Sequence, residues 1–123
     1  MVRSTWSELT ADLADADLKL LSAYRNLALS MGADVEERVS RTEVAFARTR
    51  IFTSGFILSH RLEIAVDLVR EVTHPLLLAA FATTKSVITH RLRLRTLADL
   101  ASVEDLIAES YDTVGPGFRR PRS

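Results

Sequence analysis

The sequence predicts an α+β domain: a four-stranded, mainly antiparallel sheet with a long N-terminal helix, a short middle helix and a C-terminal helix. Three observations carry the prediction. Apolar residues recur at three- and four-residue steps through positions 5–30, the period drops to two between 43 and 68, and the blocks run helix, three strands, short helix, strand, helix.

Over 5–30, Trp6, Leu9, Leu13, Ala16, Leu20, Tyr24 and Leu27 fall on one helical stripe. Ser4 or Thr5 can cap the start, with Glu8 at the capping-box position, and Gly32 is a natural stop. Residues 43–68 follow as a three-stranded meander. Val44 and Phe46 alternate with alanines, Phe52, Phe56 and Leu58 share one parity, and Leu62, Ile64, Val66 and Leu68 alternate with Glu63, Ala65 and Asp67. In 73-THPLLLAAFATT-84, Thr73 and Pro75 suit a helix start, and the apolar run reads as a short helix or an apolar loop on the core. Residues 86–94 form the fourth strand. The last helix is capped by Ser102 with Asp105 in the box position, and a helical turn over 97–100 precedes it. Residues 1–114 form one domain, and 115-GPGFRRPRS-123, with two prolines and two glycines, a mobile tail.

If the even positions of the meander face the main core, the odd ones are Ala45, Ala47, Thr53, Gly55, Ile57 and Ala65. A sheet face open to water is normally more polar. The second face is therefore expected to be covered, either by the long N-terminal helix or by a second copy of the chain.

Composition narrows the chemistry. With 123 residues, 47% hydrophobic and 26% charged, the chain is long enough to bury a core unaided. It has no cysteine, so disulfides, thiol nucleophiles and zinc–thiolate sites are excluded. No apolar run approaches the roughly 20 residues of a membrane span. The polar, acidic N-terminus does not resemble a signal peptide, so a cytoplasmic protein without membrane association is expected. Net charge is zero but unevenly spread. Residues 1–37 hold three basic and seven acidic groups, 38–95 ten and four, and 96–123 three and five. Such asymmetry marks either an anion-binding face or elements that neutralise one another in the fold.

The segments 29-LSMGADVEERVSRTEVAFAR-48, 88-ITHRLRLRT-96 and 105-DLIAESYD-112 resemble a small bacterial family, the domain of unknown function 5655 group, some of whose members are labelled predicted transport proteins. The resemblance spans roughly residues 8–113, and the Leu-rich 76–81 segment departs from it. It implies an α+β domain and no activity, cofactor or catalytic residue.

Three functional readings follow. The first is a non-catalytic interaction domain without cofactor that self-associates, a homodimer being the commonest soluble oligomer. The second is anion or nucleic-acid binding through the strand 87-VITHRLRLR-95, where Arg91, Arg93 and Arg95 share a parity, with Arg48 as a further candidate. Phe46, Phe52 and Phe56 read as core and the pI is near 6.8, so dedicated nucleic-acid binding is not favoured. Glu63 and Asp67 share the parity of the arginines, so neighbouring strands would pair each arginine with a carboxylate. The third is an enzyme or small-ligand site near His90, which lies among leucines on the inward parity. His60, His74 and the acidic cluster Asp34, Glu36 and Glu37 show no metal-ligand spacing.

Overall fold

The computed structural model describes residues 3–117. Helices α1 (Trp6–Thr10) and α2 (Asp15–Leu29) come first. Strands β1 (Glu36–Val39), β2 (Val44–Ala47), β3 (Ile51–Leu58), β4 (Arg61–Leu68), β5 (Leu77–Ala82) and β6 (Ile88–Leu94) follow, then α3 (Leu97–Ser102) and α4 (Glu104–Thr113). The class is α+β with an antiparallel sheet, but the sheet has six strands rather than four, in the order β1-β2-β3-β4-β6-β5.

The two additional strands come from segments read otherwise. The acidic cluster Asp34, Glu36 and Glu37 is assigned to no strand from the sequence, yet Glu36–Val39 pairs antiparallel with β2. The middle segment was expected as a short helix. Instead Pro75 sits in a turn closed by the Leu77 N–H on the His74 carbonyl, and Leu77–Ala82 pairs with β6. Leucine and alanine favour helix locally, but ladder pairing along β6 outweighs so weak a preference.

The long N-terminal helix is broken in two. A straight helix of about 26 residues would run about 39 Å, whereas an eight-residue strand spans about 27 Å. The break after Thr10 lets Trp6, Leu9 and Leu13 reach the same core as α2. The expected capping box is present. The Thr5 hydroxyl accepts the Glu8 N–H, and the Glu8 carboxylate accepts the Thr5 N–H. At the other end, Thr96 rather than Ser102 supplies a cap, accepting the Asp99 N–H, and the Ser102 hydroxyl donates back to the Asp99 carbonyl. No side chain caps α4.

Facing parity is set by one extra residue. Ala47 pairs with Ile51 but Phe46 with Thr53, so Phe52 is inserted at a bulge and the parity of β3 flips relative to β2. Thr53, Gly55 and Ile57 therefore share a face with Val66, Ile64 and Leu62, while Phe56 opposes Glu63 and Leu58 opposes Arg61. The even-parity expectation holds for β2, β4 and β6 and fails for Phe56 and Leu58 of β3.

The core lies wholly on one side of the sheet. Leu62, Ile64, Val66 and Leu68 of β4 and Leu92 and Leu94 of β6 pack with Leu20, Leu21 and Tyr24 of α2, Leu100 and Val103 of the α3 region, and Ile107 of α4. Tyr24 meets Phe46 edge to face at 5.6 Å. Its hydroxyl bonds the Thr53 hydroxyl at 2.8 Å, and burial pushes the phenol well above its usual range. Gly55 allows this approach, since a Cβ there would meet Tyr24 Cε2 at 2.9 Å. Gly32, expected as a helix stop, serves a different close contact: its added Cβ would lie 2.0 Å from the Tyr111 hydroxyl. The β3–β4 hairpin turns through Ser59 (φ 50) and His60 (φ 62), a two-residue turn with both central residues left-handed.

Of the predicted tail, Gly115 is buried and its carbonyl accepts the Arg50 N–H at 3.0 Å. The remainder of that expectation, residues 118–123, lies outside the described residues.

Candidate functional site

Because α1–α4 all contribute to one core cluster on one face of the sheet, the opposite face carries no helical layer among the described residues. It is built from the other parity: Glu36, Arg38, Ala45, Ser54, Phe56, Glu63, Ala65, Asp67, Thr89, Arg91 and Arg93, with Ala79 and Phe81 from β5. The long helix therefore does not cover it. Of the two covers expected from the sequence, the protein's own helix is ruled out.

The centre of this face is a charge cluster. Glu63 opposes Arg93 in the β4–β6 ladder. Its Oε1 accepts from Arg91 Nη2 at 3.1 Å and its Oε2 from Arg93 Nη2 at 3.4 Å. The Glu63 side chain is 5% exposed, against 46% for Arg91 and 35% for Arg93. Two guanidiniums thus lie over one carboxylate. Arg93 Nε is buried with no acceptor. The expected arginine–carboxylate pairing is found for Glu63 but not for Asp67. Asp67 opposes Thr89 and takes that hydroxyl at 2.7 Å, and Thr89 is bonded in turn to the Thr83 hydroxyl. Burial raises the Asp67 carboxyl above its ordinary range, opposed by the Thr89 hydroxyl and by Arg50.

The rest of this face is mixed, with Ser54, Asp67 and Thr89 beside exposed apolar side chains. Ile51 (37% exposed), Leu58 (51%) and Phe81 (49%) lie on the helix-free parity, and Leu78 (46%) lies in β5 at a register shift. β5 is the outermost strand on its side and carries no charged residue. The opposite edge differs. β1 reads Glu36-Glu37-Arg38-Val39, and the Ser4 N–H bonds the Val39 carbonyl at 3.2 Å. Leu78 and Phe81 were not recognised as surface residues. A short uncharged run reads equally as core, and only its outermost place in the sheet, with no strand beyond it among the described residues, reveals it as an edge.

The other candidates are held within the fold. His90 is fully buried. Its Nε2 accepts the Val72 N–H at 3.0 Å and its Nδ1 lies 3.1 Å from the Ile88 carbonyl, which makes Nδ1 the protonated nitrogen and ties the 69–76 connection to β6. His74 repeats the pattern, with Nδ1 accepting the Leu76 N–H and Nε2 facing the Ser102 carbonyl. His60 Nδ1 lies 2.7 Å from Asp17 Oδ2, joining the hairpin to the start of α2. Arg48 donates to Asp34 at 2.8 Å and to the Tyr111 carbonyl at 3.3 Å, with its guanidinium 4.2 Å from the centre of the Tyr111 ring. The Tyr111 hydroxyl also donates to Asp34, and together with Arg48 it holds that carboxyl below its usual range. Glu36 and Glu37 are separately bonded to Arg38 and Arg25. The acidic cluster is therefore dispersed among three arginines. No group of three potential ligands able to hold a metal occurs among the described residues.

A cleft of about 630 Å³ runs along β1 and is lined by Arg3, Trp6, Glu36, Arg38, Ala45 and Ile51 among others. It contains no histidine and no paired carboxylates set apart from arginine. No helix among the described residues is long and apolar enough to cross a membrane.

Comparison with known proteins gives a family and no activity. The profile of the family described as "Domain of unknown function (DUF5655)" matches residues 7–114. No curated protein and no solved structure matches significantly.

Proposed function

The chain belongs to the DUF5655 domain family, and from that premise we propose that it is a small non-catalytic interaction domain that self-associates, with the uncovered side of the sheet as its working surface. The observation that carries this reading is the one-sided layering. Four helices among the described residues pack on one face, while the other has a partly neutralised Glu63–Arg91–Arg93 centre and carries exposed Ile51, Leu58 and Phe81. Ile51 and Leu58 stand at the two ends of β3 and Phe81 on the edge strand, and large apolar side chains left on a face without a helical layer are candidates for burial by association. Light scattering over a range of micromolar concentrations tests it. A dimer or a concentration-dependent rise in mass is expected, and a clean monomer throughout would overturn the reading.

One observation favours a second reading. Arg91 and Arg93 share a single carboxylate, so the cluster keeps one positive charge, with Arg95 next along the chain. An anion bound there would release counterions, and retention on a heparin matrix would fall with salt. Elution of the protein in the void at low salt counts against it. Acid–base chemistry at His90 gains no such support, because both ring nitrogens are bonded internally and the ring lines no cleft described above.

A further inference from the structure

We propose that two copies of this chain join edge to edge through β5, antiparallel about a two-fold axis normal to the sheet, so that two six-stranded sheets become one continuous sheet. This rests on the reading that the domain self-associates, and places the contact at the β5 edge of the uncovered face rather than across that face.

Every outer strand leaves a row of backbone N–H and C=O groups without ladder partners, and proteins guard such edges with charge, proline, bulges or cover. The two edges of this sheet are treated differently. Three of the four residues of β1 are charged, and the segment at Ser4 bonds to its end. β5 is Leu-Leu-Ala-Ala-Phe-Ala, without charge or proline. Its one guard is the register shift between Leu77 and Ala79, beyond which Ala79–Ala82 runs regularly opposite Arg91, His90, Thr89 and Ile88. That regular half is the part open to pairing.

The occupant follows from symmetry and charge. A two-fold axis sets a strand antiparallel to its own copy, which suits an antiparallel sheet. An uncharged strand meets its copy without like charges facing each other, whereas β1 would oppose Glu36 and Glu37 to a neighbour's charged residues. Because only one edge per copy is unguarded, pairing closes at two chains rather than growing into a fibre. With the axis normal to the sheet, both Phe81 rings stay on the helix-free face near the axis. There each can cover the other copy's ring or its Ala79. A contact this short makes a reversible dimer.

The natural chain has no cysteine, so one introduced thiol reports proximity cleanly. We would compare the mass of the full chain, of Phe81→Lys and of Glu36→Lys by light scattering, with circular dichroism to verify folding. Cross-linking of Ala80→Cys and Leu58→Cys by a short bis-maleimide would be read on gels. The expected result is a wild-type dimer that Phe81→Lys makes monomeric and Glu36→Lys leaves intact, with dimer bands from Ala80→Cys only. A dimer that survives Phe81→Lys and cross-links through Leu58→Cys overturns the β5 pairing while leaving self-association standing. A wild-type monomer at every concentration overturns both.

Discussion

Replacing Glu63 by glutamine should destabilise the domain by about 1–2 kcal/mol. The change keeps the shape of the side chain and removes only the charge between Arg91 and Arg93. Breaking a fully buried ion pair costs about 3–5 kcal/mol, because an uncompensated charge stays out of water. Glu63 is that buried at 5% exposure, but its partners are 46% and 35% exposed and can turn towards solvent, where ion pairs are worth about 0.2–1 kcal/mol each. Two such pairs, with the leftover repulsion of two arginines on one face, place the loss between those limits. For a domain of this size that corresponds to a fall in Tm of about 4–8 °C. Urea titration by circular dichroism would measure it, with an unchanged m-value indicating that the unfolded reference is the same. Glu36→Gln is the control. The Glu36–Arg38 pair is 58% and 45% exposed, so its loss should stay under about 0.5 kcal/mol. Equal effects at both positions would refute the argument from burial. A more stable Glu63→Gln protein would show that desolvating the carboxylate costs more than the two arginines return.

Two further outcomes follow. His90→Leu should cost about 2–3 kcal/mol, since it leaves the Val72 N–H without an acceptor in a buried place and removes the bond to the Ile88 carbonyl. Chemical denaturation within about 0.5 kcal/mol of wild type would mean that the ring does not hold the 69–76 connection. Asp67→Asn should stabilise the domain at pH 7 and lose that advantage near pH 4. Burial raises the folded carboxyl above its unfolded value of about 4. The contribution of Asp67 is therefore full below the unfolded pKa and is lost as pH rises through the folded one. Urea midpoints at both pH values check the sign, and a gain that does not grow with pH removes the desolvation argument.

The parts of the fold that depend on local pattern were legible in the sequence. The Thr5–Glu8 capping box, the alternation of β4 and the inward parity of His90, Leu92 and Leu94 needed only spacing. What was missed depends on contacts between distant segments. The β1 residues Glu36–Val39 are polar enough to read as a loop until β2 pairs with them. Leu77–Ala82 has the composition of a helix and becomes a strand only beside β6. The extra Phe52 flips one strand's parity, which no count of alternating residues within that strand detects, although it decides that Thr53 rather than Phe56 faces α2. Of the candidate site, the arginine–carboxylate pairing was legible as parity. Its stoichiometry was not, because Asp67 meets Thr89 instead of an arginine.

That stoichiometry bears on association. Had Arg91 and Arg93 been unpaired, two copies brought together near β6 would face each other with four free cations, and repulsion would act against any contact at the adjacent β5 edge. Glu63 lowers that opposition without adding a charge at the edge itself, since β5 carries none. The same residue therefore links the two predictions argued above. In Glu63→Gln the leftover arginine charge should weaken dimerisation as well as folding, and 0.5 M salt should restore the dimer more fully than the stability, because exposed charges facing each other across an interface are screened more than a pair one of whose members is buried. Light scattering of Glu63→Gln at low and high salt separates the two effects. A dimer insensitive to both the substitution and the salt would show that the arginines lie too far from the contact to affect it.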